Sequence, residues 1–459
     1  MIAPARRAAF DALGAVAGGR ADLDGAIELA RRHINDSRDE SLLRELVTGT
    51  LRWQGAIDAV VAPLCRVALT KLDLEVLTAL RLGTYQLLYL DRVPPSAVVD
   101  DAVALVRAAK KSSATGLVNA VLRKVARGER GTPPPDADDA EALARVRSHP
   151  VWLVRRWLER RSREDVDAWL AFNNAPAPMT LRVNPLVAPD RAVVAAALAE
   201  HGVATEACRY APWGLVVLDG NPLGTPPLTT GACFLQDEGS QLAALVAPVR
   251  PGARVLDVCA SPGGKTLAYV AAAGPAGFVV AADVRARRVR LLADTVARAH
   301  ARAAIVHLDN RAALPFRAGF DVVAVDAPCS GLGTLRRDPD IKWRRTAADL
   351  GRFAAGQLDL LQRASAVVRP GGCIAYTTCS SEPDENTDVV TRFLEGAPAF
   401  ALRPVAAGPD AAALAACSDA AGRLVTDPVR HGLECYFGAV LVRQSEGQSL
   451  GAFPAAVVQ

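Results

Sequence analysis

Two cysteines are the residues of this chain best suited to nucleophilic chemistry. Cys329 lies in Asp326-Ala-Pro-Cys-Ser-Gly331 and Cys379 lies in Tyr376-Thr-Thr-Cys-Ser380, each at the end of an apolar run. A cysteine thiolate is a strong nucleophile that can form a covalent intermediate. Upstream, Asp257-Val-Cys-Ala-Ser-Pro-Gly-Gly-Lys-Thr266 places a glycine turn between a strand-like run and a helix-like run. The pattern predicts a thiolate enzyme that attacks a base and uses a nucleotide-type cofactor.

The glycine turn is only partly similar to the phosphate loop of nucleotide hydrolases. In Gly-x-x-x-x-Gly-Lys-Thr loops the first glycine stands where this chain has Cys259, and Pro262 removes an amide from the cradle. A triphosphate site is therefore disfavoured. Gly263 and Gly264 instead permit a ligand to approach the backbone closely, with a helix N-terminus beyond them.

Acidic residues end the strand-like runs that follow this turn. Asp283 ends the next run, where an acid binds ribose hydroxyls in dinucleotide-binding folds. Asp309 ends the third run and is placed to accept a hydrogen bond from an adenine amino group. S-adenosylmethionine presents that same ribose. A lone acid at a strand end is often a helix cap, so the series supports the cofactor rather than any single residue.

Residues 107–130 form a basic segment with seven lysines and arginines against one acid, Glu129. One interpretation is a solvated helix face, as for most charge runs. The other is a phosphate-binding patch, because Lys110-Lys-Ser-Ser-Ala-Thr-Gly116 forms a polar loop between two helical runs and offers amides and hydroxyls beside the cations. Composition alone leaves both interpretations open.

Length and composition limit the class of protein. A chain of 459 residues is expected to form about three domains. The formal net charge is only +4, so any nucleic-acid surface must be a local patch. The first twenty residues lack an apolar stretch of signal-peptide length, and Gly274-Pro-Ala-Gly277 interrupts the longest apolar run, so we expect neither secretion nor a membrane span. Nine cysteines without a Cys-x-x-Cys pair, and six dispersed histidines, favour reduced thiols in a cytoplasm and no metal site.

The hydrophobic periodicity changes along the chain and predicts a multidomain fold. Trp152, Trp157 and Trp169 fit either base stacking or a helix core, and their spacing favours the core. Strand-like and helix-like runs alternate in the C-terminal part and predict a doubly wound α/β sheet. The strand-like runs are Ala253–Val258, Phe278–Asp283, Ala304–Asp309, Asp321–Asp326 and Cys373–Thr378, and the final run 434–442 is expected to complete the sheet. The predicted parts are an all-α domain at 1–130, a linker rich in proline, glycine and acids at 131–148, a small α+β module at 149–230, a Rossmann-like α/β domain at 231–445, and a loose tail at 446–459.

Three motifs in one order closely resemble the motif set of the RNA 5-methylcytosine methyltransferases: Asp257–Thr266, Asp326-Ala-Pro-Cys-Ser-Gly-Leu-Gly333 and Thr377-Thr-Cys-Ser-Ser-Glu-Pro-Asp-Glu-Asn386. In the helical domain, Leu80–Tyr89 and Leu117–Val125 resemble the NusB antitermination protein. The combination resembles the bacterial 16S ribosomal RNA cytosine-5 methyltransferases of the Sun (Fmu) type. It implies a NusB-like RNA-binding domain, a small α+β module and a Rossmann-like S-adenosylmethionine-dependent methyltransferase domain.

The resemblance also implies roles for individual residues. Cys379 is the expected nucleophile, and Cys329 is expected to assist resolution of the covalent intermediate. Asp326 is expected to hydrogen-bond the cytosine edge as a protonated acid, and Lys265 to orient these groups and lower a thiol pKa. The expected cofactor contacts are Cys259, Ala260, Ser261, Pro262, Gly263, Gly264, Lys265, Asp283, Asp309 and Asp326. The expected RNA contacts are Lys110, Lys111, Arg123, Lys124, Arg182, Lys342 and Arg344.

The predicted partners follow from this resemblance. We expect S-adenosylmethionine as the cofactor, 16S ribosomal RNA as the substrate, and a monomer without metal or membrane partners. An alternative is an RNA-binding ribosome assembly factor whose methylation is incidental or directed to transfer RNA or 23S ribosomal RNA. His431-Gly-Leu-Glu-Cys-Tyr-Phe437 departs from the Asp-Gly-Phe-Phe run common in the family, with Glu434 and Cys435 replacing its first two residues. The departure concerns the last hairpin rather than the chemistry.

Overall fold

The computed structural model describes residues 2–130, 138–308 and 313–445. By their internal contacts these residues form two compact units. The first unit contains the chain up to Pro176 together with Thr334–Ala347, and the second contains Ala177–Gly333 and the chain from Ala348 onward. Within the described ranges, no helix combines the length and apolar character needed to cross a bilayer.

The first unit is helical, and its part before residue 130 agrees with the all-α domain that the hydrophobic periodicity predicts. Several helices begin at side-chain caps, where Asp22, Asp36 and Ser162 each accept a hydrogen bond from a backbone N–H of the first turn. The apolar faces of the helices before residue 127 meet in one core, in which Leu43 and Leu80 have no exposed surface. The helices span Pro4–Ala17, Leu23–Arg31, Ser37–Arg52, Gln54–Val61, Leu74–Tyr89, Pro95–Ala108, Thr115–Ala126, Asp139–Val146, Val151–Leu158, Arg163–Asn174 and Ile341–Arg344.

A helix occupies part of the segment that the sequence predicts as a linker. Within residues 131–148, helix Asp139–Val146 buries Ala140, Leu143 and Ala144, so the linker prediction is wrong for this helix. The helix forms because Asp138 caps it by accepting a hydrogen bond from the N–H of Glu141, and because its apolar residues lie on one face. Residues 131–137 lie outside the described ranges.

Two tryptophans pack against each other near the end of the first unit. Trp157 and Trp169 stack with their ring centroids 4.1 Å apart, and neither exposes more than 3% of its surface. Their assignment to a helix core is therefore confirmed. Because their helices group with the first unit by contact, the unit ends at Pro176, whereas the sequence pattern placed a boundary at residue 148.

Residues 334–347 follow the Cys329 motif in sequence but pack in the first unit. Lys342, in this segment, is only 1% exposed. Its Nζ donates to the backbone oxygen of Arg52 at 3.0 Å, to that of Ser148 at 3.1 Å and to the Asn174 Oδ1 at 2.9 Å. The three acceptors match the three N–H donors of an ammonium group, while burial, and then the charge of Arg52, lowers the pKa of Lys342 well below its ordinary value. Lys342 thereby anchors the segment 334–347 to the rest of the first unit.

The second unit begins with a small antiparallel sheet in the strand order β2-β3-β1-β4. Helices Arg191–Ala199 and Pro226–Thr229 accompany it. The Asn184 side chain donates to the Gly231 oxygen at 2.9 Å and to the Ala299 oxygen at 3.1 Å, which ties the module to the larger α/β part. The strands are β1 Thr180–Val183, β2 Ala204–Ala207, β3 Gly214–Asp219 and β4 Cys233–Leu235.

The larger part of the second unit is a twisted sheet with helices on it, as the alternating runs predict. Strands β5 to β9 pair in parallel, and β12 and β10 continue the sheet in the antiparallel sense, in the order β10-β12-β9-β8-β5-β6-β7. The strands are β5 Arg254–Asp257, β6 Phe278–Asp283, β7 Ala304–His307, β8 Phe320–Asp326, β9 Val368–Thr378, β10 Phe400–Arg403, β11 Leu424–Val425 and β12 Phe437–Arg443. The helices are Glu238–Leu245, Gly264–Ala273, Ala286–Arg298, Ala347–Ser365, Thr387–Gly396, Ala411–Ala415 and Pro428–His431.

The strand order reverses between β5 and β8. From β5 the chain continues outward to β6 and β7, and then returns to β8 on the other side of β5. Ligands of open α/β sheets bind beyond the carboxyl ends of strands at such a switch point. Asp257 ends β5 and Asp326 ends β8 there, so the fold brings two of the sequence motifs to one place.

Candidate active site

The glycine turn connects β5 to helix Gly264–Ala273. Gly263 has φ 110°, a conformation that favours glycine. A Cβ atom at this position would also stand 3.0 Å from the Leu292 Cδ1 and 3.1 Å from the Thr295 Cγ2. The turn therefore packs tightly on helix Ala286–Arg298 and presents the unpaired N–H groups of the helix start toward the ends of the strands.

Asp283 holds this turn from the end of β6. The side chain is 3% exposed and accepts hydrogen bonds from the Ser261 N–H at 3.3 Å and from the Arg285 N–H at 3.2 Å. Arg288 lies on the same carboxylate, with its Nε 3.6 Å from the Asp283 Oδ2, and donates to the Ser261 oxygen at 2.7 Å. Asp283 is thus a structural part of the turn as well as the acid predicted to bind ribose.

The residues of the turn fit S-adenosylmethionine. The hydroxyl of Ser261 is buried and has no hydrogen-bond partner among the described residues, although its residue is only 5% exposed. An unpaired buried hydroxyl beside a helix N-terminus and a carboxylate suits a ligand that carries an amino acid group and ribose hydroxyls. Burial, and then the Asp257 carboxylate, raises the pKa of the Cys259 thiol, which favours its protonated and less nucleophilic form. The predicted adenine contact, Asp309, lies outside the described residues.

The two motif cysteines meet beyond the ends of β8 and β9. Their sulfur atoms lie 3.2 Å apart, within hydrogen-bond distance. The hydrogen bond to Cys379 and the burial of the site raise the pKa of the Cys329 thiol well above its ordinary value, and the charges of Cys379 and Glu385 act in the same direction. The raised pKa favours the protonated thiol at Cys329.

An ion pair stands beside the cysteines. The Lys265 Nζ lies 2.6 Å from the Asp326 Oδ2, and the Thr377 hydroxyl donates to the Asp326 Oδ1 at 2.9 Å. Burial alone lowers the pKa of Lys265, but the attraction and hydrogen bond of Asp326, with a smaller effect of Cys379, raise it above its ordinary value. Lys265 is accordingly the proton-bearing member of the pair, and its charge acts on the Cys379 sulfur.

Asp257 is a buried acid of the glycine-turn motif, and the sequence alone predicts no role for it. It is 1% exposed and accepts a hydrogen bond from the Thr266 hydroxyl at 2.7 Å. Burial, followed by the charges of Asp326 and Asp283, raises its pKa to about 7. Its position at the end of β5 was readable from the sequence, but its protonation follows from the packing around it.

The altered C-terminal run contributes backbone to the site. The Cys435 N–H donates to the Gly333 oxygen at 3.0 Å, and the Gly333 N–H donates to the Cys379 oxygen at 2.9 Å. A Cβ atom on Gly333 would lie 2.1 Å from the Cys435 oxygen and 2.7 Å from the Cys379 oxygen, so only glycine fits between them. Strand β12 pairs with β9 and β11, and the hairpin forms despite the replacements at Glu434 and Cys435.

Five of the seven predicted RNA contacts lie at or near the surface, and two are buried. Lys110 and Lys111 lie in the loop between helices Pro95–Ala108 and Thr115–Ala126, whereas Arg123 and Lys124 lie in the last turn of Thr115–Ala126. All four are at or near the surface of the first unit and stay predictions. Lys111 also forms an ion pair with Asp73 at 3.0 Å. Arg344 is paired with Asp340 at 2.9 Å and is 36% exposed at its side chain, so it too stays a prediction.

Two of the predicted RNA contacts are wrong. Lys342 is buried, and its amine is used on three oxygen atoms of the first unit. Arg182 lies on β1, whose four residues are all buried, and is itself 5% exposed. Burial lowers the pKa of Arg182 to about 10. Neither side chain presents its charge to a phosphate backbone in this structure.

Comparison with known proteins agrees with this architecture. The family model described as 16S rRNA methyltransferase RsmB/F matches residues 243–442, the NusB family model matches residues 3–127, and the ferredoxin-like domain model of RsmF/B-like methyltransferases matches residues 149–223. The three-part fold class predicted from the sequence is therefore confirmed.

Individual relatives match over most of their length. The ribosomal RNA small subunit methyltransferase B of Pseudomonas putida is 36% identical over 402 residues, which cover 86% of this chain and 89% of that protein. The protein of the same name from Pseudomonas syringae is 35% identical and covers 85% of this chain and 86% of its own. A solved structure titled "Crystal Structure of PH0851" superposes with a TM-score of 0.81 at 25% identity and covers 96% of this chain and 99% of that one. The chain therefore belongs to the RsmB/F family of methyltransferases and uses S-adenosylmethionine as its methyl donor.

Proposed function

We propose that this protein methylates carbon 5 of a cytosine in 16S ribosomal RNA through a covalent adduct on Cys379. The observation that carries the proposal is the contact of the Cys329 and Cys379 sulfur atoms at 3.2 Å, beside the Lys265–Asp326 ion pair. Methylation of oxygen or of an exocyclic nitrogen needs no thiol. The names of the relatives supply the substrate, because those proteins are ribosomal RNA small subunit methyltransferases.

A thiolate is needed because carbon 5 of cytosine is a poor nucleophile. Addition of the Cys379 sulfur to carbon 6 converts the ring to an enamine, and carbon 5 then carries the electron pair that forms the new bond. The cofactor supplies an electrophilic methyl group on its sulfonium. We propose that the Lys265–Asp326 pair binds the nitrogen and amino edge of the ring, and that Lys265 holds the proton that stabilises negative charge developing there during addition.

Resolution of the adduct requires a different chemical role for the second cysteine, Cys329. A base removes the carbon 5 proton, the carbon 5–carbon 6 double bond re-forms, and the bond from carbon 6 to the Cys379 sulfur breaks. The Cys329 thiol, which keeps its proton, donates a hydrogen bond to the departing sulfur across 3.2 Å. Cys329 thus stabilises the thiolate that leaves.

The substrate is held by more of the protein than this site. We propose that Lys110, Lys111, Arg123 and Lys124 of the NusB-like part contact phosphates, with the neighbouring amides and hydroxyls of the loop at residues 110–116. A target base within a stem must also be unstacked, at a cost of a few kcal/mol. We further propose that the protein acts as a monomer in the cytoplasm.

The proposal is tested by mapping 5-methylcytosine in the RNA of cells with and without this gene, and of deleted cells that express Cys379→Ala. We expect one 16S ribosomal RNA cytosine to lose its methyl group on deletion and to stay unmodified with Cys379→Ala. Loss of the methyl group from transfer RNA or 23S ribosomal RNA instead would contradict the proposed substrate but not the proposed methylation of carbon 5. A mark that Cys379→Ala restores would overturn the covalent mechanism.

A further inference from the structure

One buried carboxylate connects the two cysteine-bearing loops. Glu385 lies in the 3-10 turn Pro383–Glu385 and has no exposed surface. Its Oε1 accepts from the Ser330 N–H at 2.8 Å and from the Gln357 Nε2 at 3.1 Å. Its Oε2 accepts from the hydroxyls of Ser330 and Ser380, each at 2.5 Å. All four partners are donors, and each oxygen accepts two of them.

Three of the four donors belong to the immediate neighbours of the cysteines. Ser330 follows Cys329, and Ser380 follows Cys379. Their hydroxyl oxygens lie 3.2 Å apart, the same separation as that of the two sulfur atoms. One carboxylate oxygen of Glu385 therefore binds a residue from each loop, and each of these residues is the one that follows a cysteine.

A second contact holds the other side of Cys329. Gln357, which donates to Glu385, is 1% exposed and donates also to the Pro328 oxygen at 3.0 Å. Cys329 thus stands between two residues that are both bound through this network. By contrast, neither cysteine sulfur is bonded to Glu385, so the carboxylate acts through the loops rather than on the substrate.

We propose that Glu385 is the positioning residue of the methyl transfer, which sets the separation of the two thiols. The inference rests on the proposed function for its kinetic consequence, but the geometric claim stands on the contacts alone. Charge-assisted hydrogen bonds are about twice as strong as neutral ones, and four of them share this carboxylate. Rotation of either loop would break at least one of these hydrogen bonds. The contact between the two thiols therefore depends on the hydrogen bonds that Glu385 accepts.

The substitution Glu385→Gln keeps the size of the side chain and removes one acceptor atom. The amide nitrogen then faces two donors, and two of the four hydrogen bonds are lost. A misplacement of about 1 Å lowers catalysis on the order of 100-fold. We expect the single-turnover rate with ribosomal RNA to fall by about that factor, while the KM values for the cofactor and the RNA stay within about threefold of the wild-type values.

The separation of the thiols is measured directly by disulfide formation with diamide. In this reaction Cys329 and Cys379 each give up one hydrogen to the diamide nitrogen–nitrogen double bond, and one sulfur–sulfur bond forms. Peptide mass mapping of the full chain follows the 329–379 disulfide. We expect Glu385→Gln to form it at least about tenfold more slowly than the wild type, the factor that corresponds to 1.4 kcal/mol.

A matched variant separates positioning from a general effect on folding. Glu238 is also a buried carboxylate of the second unit, 8% exposed, and accepts from the Tyr210 and Ala211 N–H groups at 2.6 and 3.1 Å. Glu238→Gln should lower the melting temperature without changing the rate of disulfide formation. Ser380→Ala, which removes a single donor to Glu385, should give an intermediate rate and add little to Glu385→Gln in the double variant.

The outcomes are distinguishable. Should the folded wild type transfer no methyl to RNA, the proposed function fails while the disulfide rates still decide the role of Glu385. If Glu385→Gln melts cooperatively and forms the disulfide as fast as the wild type, or if Ser380→Ala and Glu385→Gln are fully additive, the positioning role is overturned. If Glu385→Gln does not fold, an unchanged disulfide rate in Ser380→Ala likewise rejects it.

Discussion

The Cys329 sulfur lies 3.2 Å from the Cys379 sulfur, although fifty residues of chain separate them. The contact arises because β8 and β9 are adjacent parallel strands whose carboxyl ends point to the same edge, so the loops that follow them meet. The two thiols are not equivalent there. Cys329 has a raised pKa, and Cys379 is the sulfur on which the Lys265 charge acts.

The two cysteines should therefore fail differently when replaced. Cys379→Ala removes the attacking sulfur, so neither adduct nor methyl transfer should form, although RNA and cofactor still bind. Cys329→Ala leaves attack possible but removes the hydrogen bond to the departing sulfur, so a denaturation-resistant protein–RNA complex should accumulate on a gel. A complex that accumulates with Cys379→Ala instead would reverse the two roles.

Cofactor binding should depend on Asp283. Asp283→Ala removes a charged acceptor from the ribose site, so S-adenosylmethionine affinity measured by calorimetry should fall about tenfold or more. Because Asp283 also accepts from the Ser261 and Arg285 N–H groups, we expect a lower melting temperature as well. Asp294→Ala, an exposed change on the adjoining helix, should alter neither quantity. Unchanged affinity in Asp283→Ala would exclude it from the cofactor site.

The strands and the ends of the sheet were predictable from the sequence, because they depend on local patterns. The run Phe278–Asp283 has the bounds of strand β6, and the acid at its end lies at the predicted edge. The apolar run Asp321–Asp326 became β8 with one further residue, Phe320. The strand-like run 434–442 also indicated a last strand of the sheet, but its antiparallel direction, seen in the pairing of β12 with β9, was not predicted.

Long-range burial was not predictable in the same way. Lys342 stands in a run of cations that has the composition of a solvated surface, and nothing local shows that three oxygen acceptors from residues 52, 148 and 174 surround its amine. The partners of Glu385 likewise come from three separate segments. The sequence showed the motif that contains Glu385 but not what its side chain binds.

Lys342 should matter for stability rather than for RNA affinity. Lys342→Met retains the buried aliphatic stem but leaves the three acceptors unpaired, at roughly 1 to 3 kcal/mol for a buried unsatisfied group. We expect a lower urea midpoint for the unfolding of the first unit. Lys110→Met, at an exposed lysine, should stay within about 0.5 kcal/mol of the wild type. An unchanged midpoint in Lys342→Met would show that the amine contributes nothing net.

The basic segment of the NusB-like part, residues 107–130, should bind RNA through phosphates. Replacement of Lys110, Lys111, Arg123 and Lys124 by Ala removes up to four phosphate contacts, so the slope of log affinity against log salt should decrease by about 3. A control that replaces four exposed arginines of the same unit, Arg20, Arg32, Arg38 and Arg66, changes the net charge equally. If both variants alter the slope alike, the basic segment is only a solvated face.

Asp257 should make the stability of the second unit depend on pH. Its pKa is raised from 3.8 to about 7 in the folded protein, so between these values the folded state binds more protons than the unfolded state. The free energy of unfolding that this group contributes is complete below pH 4 and is lost as the pH rises through 7, and its size is on the order of a few kcal/mol. Asp257→Asn keeps an acceptor for the Thr266 hydroxyl but cannot ionise, so its urea midpoint should change less between pH 5 and pH 8 than that of the wild type. Asp190→Asn, at an exposed helix cap where asparagine serves equally well, should retain the wild-type pH dependence. Parallel pH profiles for Asp257→Asn and the wild type would show that Asp257 is ionised throughout this range.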